Sequence, residues 1–226
     1  MSVGAILLCA GKGERLGAGT SKALVPLAGR PLFAWSLEAL ERCPAIEGIV
    51  VVGPVQGLEQ GLASSGVRPA KLVAWCEGGK ERQDSVRSGL SALPPSYTHV
   101  AIHDCARALV GLPLIARVVA DALEHGASIA AVPLEDTVKR VALGVVEATV
   151  PRAGLWRAQT PQAFRRDWLE AAHAAAVGRA TDDAALVESL GHRVRVSEGD
   201  PLNFKITTPR DLKLAEAWLA SQHALS

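Results

Sequence analysis

Ala5-Ile6-Leu7-Leu8-Cys9-Ala10-Gly11-Lys12-Gly13-Glu14-Arg15-Leu16-Gly17-Ala18-Gly19-Thr20-Ser21-Lys22 passes directly from a short apolar block into a loop of glycines and cations. The block at 5–9 is far below the roughly 20 apolar residues that a membrane-spanning helix needs, and it carries no basic leader. It reads as a buried strand. The loop then falls where a parallel sheet collects ligands, at the carboxyl end of a strand. Gly11, Gly13, Gly17 and Gly19 allow the backbone to fold closely and turn its N–H groups toward phosphate oxygens.

The same alternation continues outward from this stretch. Apolar runs at 48–52, 72–75, 100–103 and 129–133 predict further strands, nearly continuous in apolar residues as strands covered on both faces should be. Between them, 31–42, 81–93, 112–124 and 165–177 carry the helical period. Thr208-Pro209-Arg210-Asp211 supplies a cap, a proline at the first position and an acid two residues later, opening a helix through Leu219. The pattern predicts an α/β domain around a mostly parallel sheet, with the whole chain, 1–226, as one unit. One region breaks it. Residues 137–141 and 145–150 flank a short link containing Gly144, with polar residues on alternate positions, which predicts an inserted β-hairpin arm at about 137–153. Such a hairpin could be an edge ribbon, an arm to a partner, or a substrate lid.

Composition narrows the function classes. Lys and Arg number 24 against 23 Asp and Glu, a net charge of +1, with no block of like charge, so a nucleic-acid platform is not expected. At 49% hydrophobic residues the chain is expected to fold. Cys9, Cys43, Cys76 and Cys105 form no CxxC pair, which points to reduced thiols and a cytoplasmic protein with no membrane association.

Two common phosphate motifs fail on the opening loop: the dinucleotide fingerprint would need glycine where Leu16 stands, and no Gly-Lys-Ser/Thr is present. What remains is a glycine loop bearing Arg15 and Lys22, read either as a phosphate cradle or as a solvated surface loop. Asp104 ends a buried strand on the same edge of the sheet, well placed to hold Mg²⁺ on a polyphosphate. The alternative is a capping acid, or one paired with Arg107. Gly78-Gly79-Lys80-Glu81-Arg82-Gln83-Asp84-Ser85 forms a turn into a helix that could read a base edge, or simply cap that helix. Lys205 lies in an apparent late strand, reaching either an anion or solvent. These residues include cations and one carboxylate but no nucleophile–base pair. That suits a reaction whose nucleophile is already an anion, such as a phosphate monoester attacking phosphorus in line.

The loop from Ala10 to Lys22 resembles the signature loop of the nucleotidyltransferase superfamily. Taken with Gly78–Val86, His103-Asp104-Cys105-Ala106-Arg107, Asp136-Thr137-Val138-Lys139, the 152–162 stretch ending Gln159-Thr160-Pro161-Gln162, Thr181-Asp182-Asp183 and Asn203-Phe204-Lys205-Ile206-Thr207, the chain resembles the 2-C-methyl-D-erythritol 4-phosphate cytidylyltransferase family over nearly its whole length. The resemblance implies a Rossmann-like sheet of the nucleotidyltransferase type. It also implies a homodimer joined through the β-arm, and CMP transfer from CTP to a polyol phosphate with Mg²⁺ in the non-mevalonate isoprenoid pathway. It further implies that Arg15 and Lys22 stabilise the transition state while Arg152 and Lys205 aim the acceptor phosphate. Ala10, Gly11, Gly13, Gly78, Lys80 and Ser85 are implied to line the nucleotide pocket. Asp104 would bind the metal, and Arg107, Thr137, Thr160 and Thr181 would complete the acceptor pocket. Thr137 and Arg152 are implied to serve the partner subunit's site. A pyrophosphorylase for another polyol phosphate, such as ribitol 5-phosphate, and a non-catalytic CTP sensor are the alternatives left by these residues.

Overall fold

The computed structural model describes residues 1–11, 13 and 21–223. In chain order its elements are β1 (Val3–Leu8), a 3-10 turn (Lys22–Leu24), the two-residue strands β2 (Pro26–Leu27) and β3 (Arg30–Pro31), α1 (Leu32–Arg42), β4 (Gly48–Val52), α2 (Val55–Ser65), β5 (Leu72–Cys76), α3 (Arg82–Ala92), β6 (His99–Asp104), α4 (Leu112–His125), β7 (Ala127–Pro133), β8 (Val138–Ala142), β9 (Val145–Val150), β10 (Trp156–Arg165), α5 (Arg166–Ala175), α6 (Asp183–Ser189), β11 (Arg195–Glu198) and α7 (Pro209–His223). All five strands expected from the apolar runs form. They belong to a seven-stranded sheet of order β11-β7-β10-β6-β1-β4-β5.

The reason those runs are continuously apolar is visible in the packing. Leu7 and Val51 face one core, with Phe33 and Leu37 of α1 and Ile115 of α4. Their neighbours Ile6, Val50 and Val52 face the other, with Val86 of α3, Phe164 of β10 and Leu169 of α5. With helices on both sides, neither parity of a central strand reaches water. β5 departs from the expectation of two covered faces. Among the described residues it pairs only with β4, and Val73 is exposed, as an edge strand permits.

Four elements lack a clear sequence signal. In α2 only Leu58 and Ser65 are buried, so no apolar stripe marks it. α6 and β11 are short. β10 is antiparallel to both β6 and β7, and its ladder shifts register between Ala158 and Gln162. Pro161 has no N–H to give a ladder, so a proline there argues against a central strand until the break around it is seen. The expected late strand at 203–207 does not form. That segment joins no ladder among the described residues, with Ile206 N–H bonded to the Ala106 carbonyl at 2.8 Å.

The hairpin forms as expected. Among the described residues β8 and β9 pair only with each other, closed by Leu143-Gly144 with φ of 49° and 78°. Positive φ at both central residues matches the twist of a two-residue hairpin turn, which is why glycine sits there. No helix among the described residues is long and apolar enough to cross a membrane.

Candidate active site

β1 and β6 lie side by side and parallel, with Leu8 in register with Asp104, so both strands deliver their carboxyl ends to one place. A cleft of about 980 Å³ opens there, a size suited to a nucleotide-sized ligand. Its lining includes Ala10, Gly11, Gly13, Lys22, Lys80, Glu81, Arg82, Ser85, Asp104, Arg179 and Lys205. Lys22 is drawn back to the start of the glycine loop by its N–H, which donates to the Gly11 carbonyl at 3.1 Å. The Gly78-Gly79 turn closes another wall. A β-carbon on Gly78 would overlap that of Ala10, so glycine is what lets the two loops touch. Ser85 is buried and holds this turn: its hydroxyl accepts from Gly79 N–H at 3.1 Å and donates to the Glu81 carbonyl at 3.2 Å.

Asp104 is the electrostatic centre of the cleft. Its Oδ2 accepts from Lys205 Nζ at 2.6 Å and its Oδ1 from Arg82 Nε at 3.3 Å. Burial alone would raise its pKa. The charges of Arg82 and then Lys205 outweigh that and hold the carboxyl well below the usual carboxylate range. Arg82 also donates from Nη1 to Asp183 Oδ2 at 2.6 Å. Burial works against its charge, but Asp183 and Asp104 keep the guanidinium protonated far above the ordinary arginine value.

Behind Asp104 lies a neutral hydrogen-bonded floor. Thr160 Oγ1 accepts from the Asp104 N–H at 3.0 Å and sits 3.1 Å from His103 Nδ1, while His103 Nε2 is 3.3 Å from the Arg107 carbonyl. A carbonyl can only accept, so the proton is on Nε2; Nδ1 then accepts from the threonine hydroxyl, and every partner is satisfied. Burial pushes the His103 pKa down to about 4, so the ring is neutral at pH 7. The break in β10 makes this floor possible. It frees the Thr160 carbonyl to accept from Asn203 Nδ2 at 2.8 Å, and Gln159 Oε1 accepts from the same amide at 3.1 Å. Two residues beyond Asn203, Lys205 is thereby brought to Asp104.

The structure therefore gathers Ala10, Gly11, Gly13, Lys22, Lys80, Ser85, Asp104 and Lys205 in one cleft, although Lys205 comes from an unladdered segment and not from the strand expected. Arg15 lies outside the described residues. Gly78 stands behind the cleft wall. Thr160 is buried beneath Asp104. Arg107 does not pair with Asp104; it donates to the carbonyls of Asn203 at 2.7 Å and Ala158 at 3.2 Å, and burial lowers its pKa. Thr181 is exposed outside the cleft lining, and Thr137 and Arg152 are exposed at the two ends of the arm. Sequence reasoning assigned no role to Arg82, Asp183 or Arg179. Arg82 carried a readable signal: it is the first residue of α3, where the helix dipole disfavours a cation unless carboxylates offset it. A second hollow, about 740 Å³, lies at the other end of the sheet near Met1, Tyr97 and His99. Its arginines are already paired, Arg165 with Asp167 and Arg166 with Glu170.

The donor set suits a divalent cation that needs few ligands from the protein. Among the described residues no three His, Cys, Asp or Glu converge to cage a metal. Magnesium is commonly held by one or two carboxylates, substrate phosphates and retained waters, and Asp104, its pKa held low by Arg82 and Lys205, beside a nucleotide-sized cleft fits that demand.

Comparison with known proteins agrees with this geometry. Residues 3–221 match the family described as 2-C-methyl-D-erythritol 4-phosphate cytidylyltransferase. Relatives bearing that name are 44% identical in Prochlorococcus marinus, over 95% of this chain and 97% of that one, and 46% identical in Nocardia farcinica, over 99% and 96%. The crystal structure of the Thermus thermophilus enzyme of that name superposes with a TM-score of 0.79 at 34% identity, covering 97% of this chain and all of the other. The Anaerococcus prevotii 4-diphosphocytidyl-2C-methyl-D-erythritol synthase gives 0.83 at 27% identity, covering 97% and 98%. With the fold, the cleft and the match running the length of the chain, this protein belongs to the 2-C-methyl-D-erythritol 4-phosphate cytidylyltransferase family.

Proposed function

We propose that this chain transfers CMP from CTP to 2-C-methyl-D-erythritol 4-phosphate, giving 4-CDP-2-C-methyl-D-erythritol and pyrophosphate. The observation that carries the reading is the convergence of Lys22, Arg82, Lys205 and Asp104 in one cleft at the strand ends. An oxygen of the acceptor phosphate forms a bond to the α-phosphorus of CTP. The bond from that phosphorus to the bridging oxygen breaks, and pyrophosphate leaves with the electron pair. The nucleophile is already anionic, so no general base is required, and the protein's task is alignment and charge neutralisation.

Lys22 stabilises the charge that builds on the α-phosphoryl oxygens, joined by Arg15 of the glycine loop. Ala10, Gly11, Gly13, Gly78, Lys80 and Ser85 form the nucleotide side of the pocket. For Ser85 the contribution is indirect, since its hydroxyl is spent on the turn. Lys205 and Arg152 grip the acceptor phosphate, with Arg107, Thr137, Thr160 and Thr181 shaping that side. Thr160 acts from below, by fixing Asp104. Asp104 would hold Mg²⁺, which would supply further neutralisation of the triphosphate charge. Lys205 then has to exchange Asp104 for the acceptor phosphate, which its 42% exposed side chain allows.

The arm extends the proposal beyond one subunit. Val141 of β8, Leu143 of the turn, and Val145 and Val146 of β9 are exposed, so the arm is suited to embrace a second copy in a homodimer and to carry Thr137 and Arg152 toward that copy's site. The chain acts as a single nucleotidyltransferase unit in the cytoplasm. The test is pyrophosphate release with Mg²⁺, crossing CTP, UTP, ATP and GTP with methylerythritol 4-phosphate and ribitol 5-phosphate. Release confined to CTP with the methylerythritol compound is expected. Release with the ribitol compound instead would reassign the acceptor, and CTP binding without any release would remove the catalytic reading.

A further inference from the structure

A carboxylate that is to meet a divalent cation must not be captured by the protein cations around it, and Asp104 is contacted by two. They are held differently. Lys205 reaches Oδ2 on a long, 42% exposed side chain that can swing into the cleft. Arg82 is anchored from behind. Its short bond, 2.6 Å from Nη1, goes to Asp183, and only the longer one, 3.3 Å from Nε, goes to Asp104. Asp183 is 1% exposed, and its Oδ1 accepts from the buried His173 Nε2 at 3.0 Å. Arg82 Nη2 is buried with no partner among the described residues. Nε, already on one oxygen of Asp104, and the unpartnered Nη2 therefore make up a fork that could close on both oxygens of that carboxylate, the strongest geometry a guanidinium offers.

We propose that Asp183, clamped by His173, is a positioning residue for the cation site: by taking the shorter share of the Arg82 guanidinium, it lets Arg82 orient Asp104 without capturing it. The inference rests on the cytidylyltransferase reading of the cleft and deepens it. Three elements meet in the device, α3 through Arg82, α5 through His173 and α6 through Asp183, so the packing of α5 on α6 sets how available the β6 carboxylate is. Loss of the Asp183 charge would leave Arg82 with Asp104 as its one carboxylate partner among the described residues.

The test uses Mn²⁺ as the probe, read by the electron paramagnetic resonance of the free ion, on the full chain with CTP and no acceptor, so that nothing turns over. Asp183→Asn is expected to weaken Mn²⁺ binding roughly tenfold, the scale of redistributing one charge-assisted hydrogen bond. The double variant Asp183→Asn with Arg82→Gln removes the competitor as well and is expected to return binding to within about threefold of the parent, a non-additivity that a loosened fold would not produce. Unchanged binding in Asp183→Asn, or no recovery in the double variant, overturns the proposal. If Asp183→Asn shows no cooperative thermal transition, His173→Ala is read in its place. It is expected to weaken Mn²⁺ binding about threefold with rescue by His173→Gln, and no change there overturns the proposal equally. Asp104→Asn separates the two levels: parent-like Mn²⁺ binding in that variant sinks the reading of the cleft itself.

Discussion

Asp104, on the floor of the cleft, is met by Arg82 and Lys205 through its carboxylate and by Thr160 through its N–H. Leu143, at the tip of the arm, is 104% exposed, and among the described residues its strands pair with nothing but each other. The cleft is over-determined from within the chain: remove one partner and a buried charge or donor is stranded. The arm has the opposite character, a ribbon with apolar side chains in water and, among the described residues, no third strand to pair with it. A two-stranded hairpin is marginal by itself. The proposed dimer would complete such a surface from outside, whereas the bonds of the cleft floor are made within one chain.

Substitutions that separate packing, charge and exposure test this contrast. The largest effect is expected in the core that carries the cleft. Phe164 of β10 is fully buried between the sheet and α5, and Phe164→Ala should cost about 3–5 kcal/mol in denaturant unfolding. A loss under about 1 kcal/mol would mean that β10 is not the rigid support described. Next comes Lys22→Ala, expected to lower turnover by on the order of 10²–10³ with the fold intact, the scale of one transition-state charge donor. Near-parent pyrophosphate release would take Lys22 out of that role.

Close in size is the pH response of the floor. His103 has a folded pKa of about 4, lowered by burial from an ordinary value near 6.5. The unfolded chain takes up a proton that the buried ring refuses, so its contribution is full above about pH 6.5. It is lost progressively as pH falls toward 4, by about 3 kcal/mol in all. His103→Gln should flatten the fall in melting temperature over that window; parallel curves for parent and variant would contradict a neutral buried ring. The smallest effect belongs to the arm. Leu143→Ala should move chain stability by no more than about 0.5 kcal/mol. Val145→Asp with Val146→Asp should shift the sedimenting species toward the monomer, and an unchanged sedimentation profile would count against the arm as the dimer contact.

Several features of this molecule were readable in the chain alone. Five strands announced themselves because both faces are buried, which leaves a run with no polar parity to disguise it. The hairpin showed the reverse, an alternating pattern around Leu143-Gly144. Gly11, Gly13, Lys22 and Asp104 could be placed at one sheet edge because β1 and β6 each end just before or at them and parallel neighbours share that edge. Thr208 to Asp211 capped α7 as its order of residue types requires.

The remainder depended on contacts between residues far apart in sequence. β10 was hidden by Pro161, and only the neighbouring strands make a broken antiparallel strand worth forming at the sheet's centre. Lys205 reaches Asp104 across a sequence separation of 101 residues through the Asn203–Gln159–Thr160 brace. Arg107 turned inward to backbone carbonyls, a choice between solvent, Asp104 and carbonyl oxygens that local sequence does not bias. The partnership of Arg82 with Asp183 is of the same kind. A sequence specifies local conformation through short-range sterics and hydrophobic period, so strands, caps and turns can be read one window at a time. Which buried charges neutralise one another is settled only when the sheet and its helices have packed, because that energy depends on distances the chain alone does not contain.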